Sequence, residues 1–211
     1  MALVNRIMRV NRTTTAFLLC DIQERFSSYI YQFPSLVTTA KKMNFKNIHT
    51  ICKNQKVNSN KINNTIIFTY LIKHPKVKDL DIKNAKVVAE KTKFSMFVPE
   101  IENALKNHNI KSIVLFGIEA HVCILQTALD LIENNYDIHV LADGVSSMNY
   151  PEIEIALNHI QQAGGSVTSS ESILFQLLND SSDQKFKQIS SLVKEYRKET
   201  SENKLMFKSN L

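Results

Sequence analysis

Short apolar runs separated by longer helix-patterned stretches recur along this chain, and that alternation constrains its fold more than any other feature. Ala16-Phe17-Leu18-Leu19-Cys20 is apolar at every position and ends at Asp21. A run without polar alternation reads as a strand covered on both faces, as in the interior of a parallel sheet. Thr65–Tyr70 is β-branched and aromatic and reads as a second strand. Val87–Ala89, Ser112–Phe116, Asp137–Ala142 and Ser166–Thr168 read as further strands. Between them, residues 36–51 and 121–133 carry helical apolar spacing. Pro99 and Pro151 open helices that run to about Asn107 and Ala163, since proline suits a first turn. Asp143-Gly144 reads as a turn, and Thr168 with Glu171 as a capping box for a helix over 169–178. An amphipathic helix over 183–196 leads into a polar tail, expected to be mobile from about Arg197. Strand and helix alternate at least five times. The expectation is one α/β domain over 1–211, with its core at about 14–196: a doubly wound, mostly parallel sheet with helices on both faces.

Composition bounds what such a domain can do. The 211 residues suit a single α/β domain, and 44% hydrophobic residues supply one sizeable core. No apolar run approaches the ~20 residues needed to cross a bilayer, so no membrane partner is expected. Met1 to Arg12 holds three arginines and no acid, and lacks the apolar stretch of a secretory signal. The expected location is the cytosol, although such a start is also compatible with mitochondrial import. Cys20, Cys52 and Cys123 form neither a disulfide framework nor a CxxC pair, which fits a reducing compartment. Residues 41–93 hold 13 lysines against 3 acids, so the basicity behind the net charge of +6 sits in that one segment. It could attract an anionic substrate or nucleic acid. A solvated lysine-rich surface is the plainer reading, and the Asn/Lys-rich stretch 53–64 reads as a surface loop.

Doubly wound sheets place their sites at the carboxyl ends of strands. Asp21 closes the first strand, Lys91 follows the third, and Cys123 stands just past the fourth, early in the next helix. The thiolate is the nucleophilic form of cysteine, and a helix N-terminus and a nearby cation both favour it. Lys91 would be that cation. Asp21 would take the thiol proton and later pass it to a leaving group or activate water. Backbone N–H groups between Gly117 and Cys123 would face a developing oxyanion. Plain structural roles stay open: an aspartate after a strand is often a cap, Lys93 lies two residues from Lys91, and a lone cysteine most often packs. Phe26, Phe94 and His121 are candidates for a substrate pocket, with core or turn roles equally open. Cys20 alternates with Asp21 and reads as buried and inert.

Three segments resemble the isochorismatase-like hydrolase superfamily, which includes nicotinamidases and related cysteine amidases. Residues 17–26 (FLLCDIQERF) resemble its apolar strand followed by Asp-x-Gln-x-x-Phe. Residues 91–97 (KTKFSMF) resemble its lysine with an aromatic and a serine after it, and 117–124 (GIEAHVCI) its cysteine elbow. The similarity continues through Asp143-Gly144-Val145-Ser146-Ser147 and covers about 14–192, in particular with eukaryotic isochorismatase-domain-containing proteins, including those labelled mar1-type ribonucleases.

The resemblance implies Asp21 as general base, Lys91 as supporting cation and Cys123 as nucleophile. It also implies a cis peptide near Ile118–Glu119 that aims the Glu119 and Cys123 amides at the oxyanion. True isochorismatases resemble this sequence but usually carry glycine at the Cys123 position, so the thiol points to amide hydrolysis through an acyl-thioester. Nicotinamidases hold a metal with Asp-x-His and a further His. Here only His49 and His74 lie between Asp21 and Lys91, in another arrangement, so no metal and no cofactor are expected. Residues 69–75 (TYLIKHP) depart from the family's Gly/Pro-rich pocket loop, which leaves substrate choice open. The expectation is a metal-independent cysteine hydrolase of a small amide, assembled as a homo-oligomer. The alternative is a non-catalytic or ribonuclease-labelled relative that binds RNA or protein through its basic 41–93 segment.

Overall fold

The computed structural model describes residues 7–44, 47–48, 65–71, 77–78, 80 and 85–206. Six strands form one sheet: β1 (Thr15–Cys20), β2 (Thr65–Leu71), β3 (Val87–Lys91), β4 (Ser112–Ile118), β5 (Asp137–Ser146) and β6 (Ser166–Thr168). Their order is β3-β2-β1-β4-β5-β6, and every neighbouring pair is parallel. The unbroken apolar runs of β1 and β4 are buried at every residue, as a central parallel strand requires.

The period-two geometry of a strand sorts these side chains to two faces. Phe17, Leu19, Val114, Phe116 and Ile118 enter one apolar cluster. It is covered by α1 (Phe33–Lys42), α5 (Ser170–Leu178) and α6 (Phe186–Glu195). Ala16, Leu18, Cys20, Ile113 and Leu115 enter the other. That face is covered by α2 (Pro99–Asn107), α3 (Leu125–Glu133) and α4 (Tyr150–Gln162). The doubly wound expectation is therefore the observed architecture.

Four local readings are corrected. First, β5 does not turn at Asp143-Gly144 but runs on to Ser146, because the Ser170 amide and hydroxyl satisfy the Asp143 carboxylate. Gly144 lies close against Phe116 and Thr39. Second, the cap of α5 is Ser169, whose hydroxyl accepts from the Ser172 amide, so no Thr168 capping box is needed. Third, residues 121–133 are not one regular helix: a π-helical turn, Ala120–Ile124, precedes α3. Fourth, residues 197–206 of the tail, expected to be mobile, pack against the domain. The tail forms α7 (Arg197–Ser201), and Asn203, only 3% exposed, donates to the Asp143 carbonyl at 3.1 Å. A buried backbone carbonyl needs a donor, and the tail supplies one. Helix α1 ends at Lys42, short of the expected Ile51, and the 53–64 loop lies outside the described residues.

Candidate active site

Strands β2 and β3 lie on one side of β1, and β5 and β6 lie beyond β4. The chain reverses direction of winding between β1 and β4, the crevice where open α/β sheets bind ligands. Asp21 leaves β1 there with φ at 52°, a left-handed conformation that aspartate tolerates better than most residues. It is 2% exposed, and the Gln23 amide donates to its Oδ1. Cys20 pairs with Gly117 across the same two strands. Gly117 has φ at 125°, and a Cβ there would run into the Cys20 carbonyl, so only glycine lets the strands close at this point. The π-helical turn after β4 then carries Cys123, 4% exposed, on the face of the sheet that holds Cys20.

Lys91 is the last residue of β3, two strands from β1, and is 3% exposed. Its Nζ donates to the carbonyls of Phe94 at 2.5 Å and Lys93 at 3.0 Å, and lies 3.8 Å from Cys123 Sγ. The loop that supplies those carbonyls is tied to the cysteine by Thr127. Its hydroxyl donates to the Cys123 carbonyl at 2.6 Å and accepts from the Met96 amide at 2.8 Å. Lys93 also pairs with Asp130 at 2.7 Å, but both side chains are solvent-accessible and such a pair contributes little.

The Cys123 thiol is brought down from 9.0 to about 7. The largest cause is the neighbouring Cys20 thiol; burial opposes it, Lys91 favours the thiolate, Asp21 opposes it, and the Glu119 backbone favours it slightly. Cys20 moves the other way, well above the usual thiol range, through its Cys123 neighbour and its burial. A thiol near neutrality beside an ammonium is suited to nucleophilic attack.

The remaining expected residues are placed as follows. The Ile118–Glu119 peptide is cis, at the bond where the resemblance puts one. His121 Nδ1 lies 2.9 Å from Ser147 Oγ, and the Glu119 carboxylate accepts from the Met148 amide at 2.9 Å. Both contacts join the cysteine turn to the end of β5. Phe94 is 53% exposed, next to the carbonyl that holds Lys91. Phe26 packs on the opposite face of the sheet from Cys123, with the Arg25 guanidinium 4.4 Å from its ring centroid. Among the described residues, no group of three or more His, Cys, Asp or Glu could hold a metal ion; His49 and His74 lie outside them. Sequence reasoning missed Gln23 and Thr127. The Asp-x-Gln spacing was visible, but only the coordinates show what the glutamine amide touches.

A doubly wound parallel sheet that carries Asp21 just past β1, Lys91 at the end of β3 and Cys123 just past β4 defines the class. Comparison with known proteins places it within that class. The Isochorismatase domain matches residues 73–172. Isochorismatase family protein 1B of Dictyostelium discoideum is 37% identical over 206 residues, covering 92% of this chain and 93% of the relative. The structure of MAR1 ribonuclease from Caenorhabditis elegans is 34% identical with a TM-score of 0.77, covering 88% of this chain and 92% of that one. The YcaC gene product of Escherichia coli, an octameric hydrolase of unknown specificity, shares the fold at 18% identity and a TM-score of 0.74, over 96% and 99% of the two chains. This chain belongs to the isochorismatase family. No helix among the described residues is long and apolar enough to cross a membrane.

Proposed function

We propose that the chain is a hydrolase that cleaves a small amide-type substrate with Cys123 as nucleophile, Lys91 as its cation and Asp21 as proton acceptor. The observation that carries this reading is the 3.8 Å approach of a buried ammonium to a buried sulfur at the switch point of the sheet. Asp21 takes the proton from Cys123, and the thiolate adds to the substrate carbonyl. The Glu119 and Cys123 amides receive the developing oxyanion. Asp21 returns the proton to the departing amine, leaving an acyl-thioester, and the reverse proton path activates a water that frees the acid.

A reducing, cytosolic setting suits these free thiols. The octameric state of the E. coli YcaC protein supports self-assembly here, which sedimentation checks.

The test is an activity screen over small amides, nicotinamide included, with wild type and Cys123→Ser, together with iodoacetamide labelling. Cys123 labels faster than Cys20 or Cys52 and Cys123→Ser loses turnover on every amide that wild type cleaves. Equal labelling of the three thiols sinks the reading.

A second reading is RNA contact, favoured by the MAR1 ribonuclease relative and the basic segment 41–93. It predicts binding to RNA that weakens steeply with salt. A thiol, an amine and a carboxylate are poorly matched to phosphodiester cleavage, so this reading concerns binding.

A further inference from the structure

We infer that Thr127 is a positioning residue of the site: its hydroxyl ties the loop that holds the Lys91 ammonium to the backbone of Cys123, and so keeps the ammonium against the sulfur. The inference rests on the reading of Cys123 as nucleophile and Lys91 as its cation, and adds a residue to that site.

One buried hydroxyl joins the two segments. Thr127 is the third residue of α3 and is fully buried. Its Oγ1 donates to the Cys123 carbonyl at 2.6 Å and accepts from the Met96 amide at 2.8 Å. A hydroxyl has one proton to give and lone pairs with which to receive. Its proton goes to Cys123, so the oxygen can take the amide, and the two bonds are compatible. Threonine also suits the place by its shape. Its β-branch leaves few χ1 rotamers, and one of them reaches the carbonyl one turn back. Here that carbonyl lies in the π-helical turn that precedes α3.

What the bridge controls follows from the loop. Residues 92–98 connect β3 to α2 and form neither strand nor helix, so no ladder fixes them. Within that loop the Lys93 and Phe94 carbonyls accept from Lys91 Nζ at 3.0 and 2.5 Å. Met96, two residues further on, is fully buried and is the point that Thr127 holds. Lys93 reaches the same helix at Asp130, but those side chains are 57% and 30% exposed, and such a pair contributes little. A lysine side chain has many rotamers. The two carbonyls select the one that sets Nζ 3.8 Å from Cys123 Sγ, and Thr127 fixes the loop that bears them. Without the hydroxyl, the buried Met96 amide loses this acceptor and the loop shifts to find another. A retreat of about 2 Å by the ammonium removes roughly a third of an attraction that falls as the inverse of distance.

The experiment measures iodoacetamide alkylation of Cys123 against pH in the full chain, by mass spectrometry, for wild type, Thr127→Val, Thr127→Ser, Lys91→Met and the double variant Thr127→Val with Lys91→Met. Wild type reaches half its limiting rate near the value of about 7 expected for this thiol. Thr127→Val keeps the shape without the hydroxyl and moves that midpoint up by about half a unit, so labelling at about pH 6 slows roughly threefold. Thr127→Ser keeps the hydroxyl and restores most of the wild-type profile. Cys20 and Asp21 also act on this thiol, so the double variant decides whether Thr127 works through the ammonium. Once Lys91 is replaced, Thr127→Val adds no further shift. A purely structural role lowers the rates evenly across the pH range without moving the midpoint, and that result overturns the inference. So does the same shift with and without Lys91. If Lys91→Met still slows labelling in either case, the nucleophile reading survives alone. Where Thr127→Val does not fold, Thr127→Ala also lacks the hydroxyl and carries the same expectation. Unselective labelling in wild type overturns the inference together with the reading beneath it.

Discussion

The two faces of the sheet each bury a lysine, and the two amines do different things. Lys42 ends α1, with its side chain 3% exposed, its Nζ 3.7 Å from Asp143 Oδ2 and 3.2 Å from Thr200 Oγ1. Lys91 is as well buried, but two carbonyls and the Cys123 sulfur surround its Nζ. The first ammonium is neutralised by a carboxylate that Ser170 also holds. The second meets dipoles and a group that can itself ionise, so its field acts on the protonation of the thiol. A buried cation paired with a carboxylate supports the fold; one set beside an ionisable thiol favours the anion that can form there.

Replacing each lysine by methionine tests that contrast. Lys42→Met leaves a buried carboxylate without its cation and is expected to destabilise the protein by about 3–5 kcal/mol in urea unfolding, with no change in the Cys123 labelling rate of the folded protein. Lys91→Met frees the carbonyls of Lys93 and Phe94, both exposed residues that water can serve, and costs about 1 kcal/mol or less. Its labelling rate at about pH 6 falls tenfold or more, since an opposite charge within ~4–6 Å moves a thiol by about a unit or beyond. Equal stability losses, or equal labelling rates, would erase the distinction between the two faces.

Smaller effects sharpen it. Asn203→Ala removes the tail's donor from the Asp143 carbonyl and is expected to cost about 1–2 kcal/mol, measured by thermal unfolding, without touching Cys123 labelling. His139, in β5, is 2% exposed, and its Nε2 has no hydrogen-bond partner among the described residues. Burial holds its pKa below 6.5. As pH falls through 6.5 the unfolded chain takes up a proton that the folded chain resists, so stability drops. His139→Leu removes that contribution, and its urea midpoint declines less steeply between about pH 7 and 5.5.

How much of this was legible without coordinates varies by residue. The apolar runs of β1 and β4 announced central parallel strands because burial on both faces leaves no room for polar alternation. Pro99 marked the start of α2 because its fixed φ and missing N–H suit a first turn. Asp143 misled, since aspartate before glycine signals a turn only when the carboxylate lacks a distant partner. Its partners Ser170 and Lys42 lie 27 residues after it and 101 before it. The tail misled for the same reason: its polarity matched a mobile end, yet Asn203 answers a buried carbonyl 60 residues away.

The order of the three site residues, their residue types and their places at strand ends belonged to the sequence, because strand patterning and chain order are local properties. The sheet order that sets β1 beside β4, the reach of Lys91 across β2 and its approach to the Cys123 sulfur belonged to the tertiary structure alone. Strand pairing and side-chain contact are relations between distant segments, and no local pattern encodes which distant group a buried thiol, amine or carboxylate will meet.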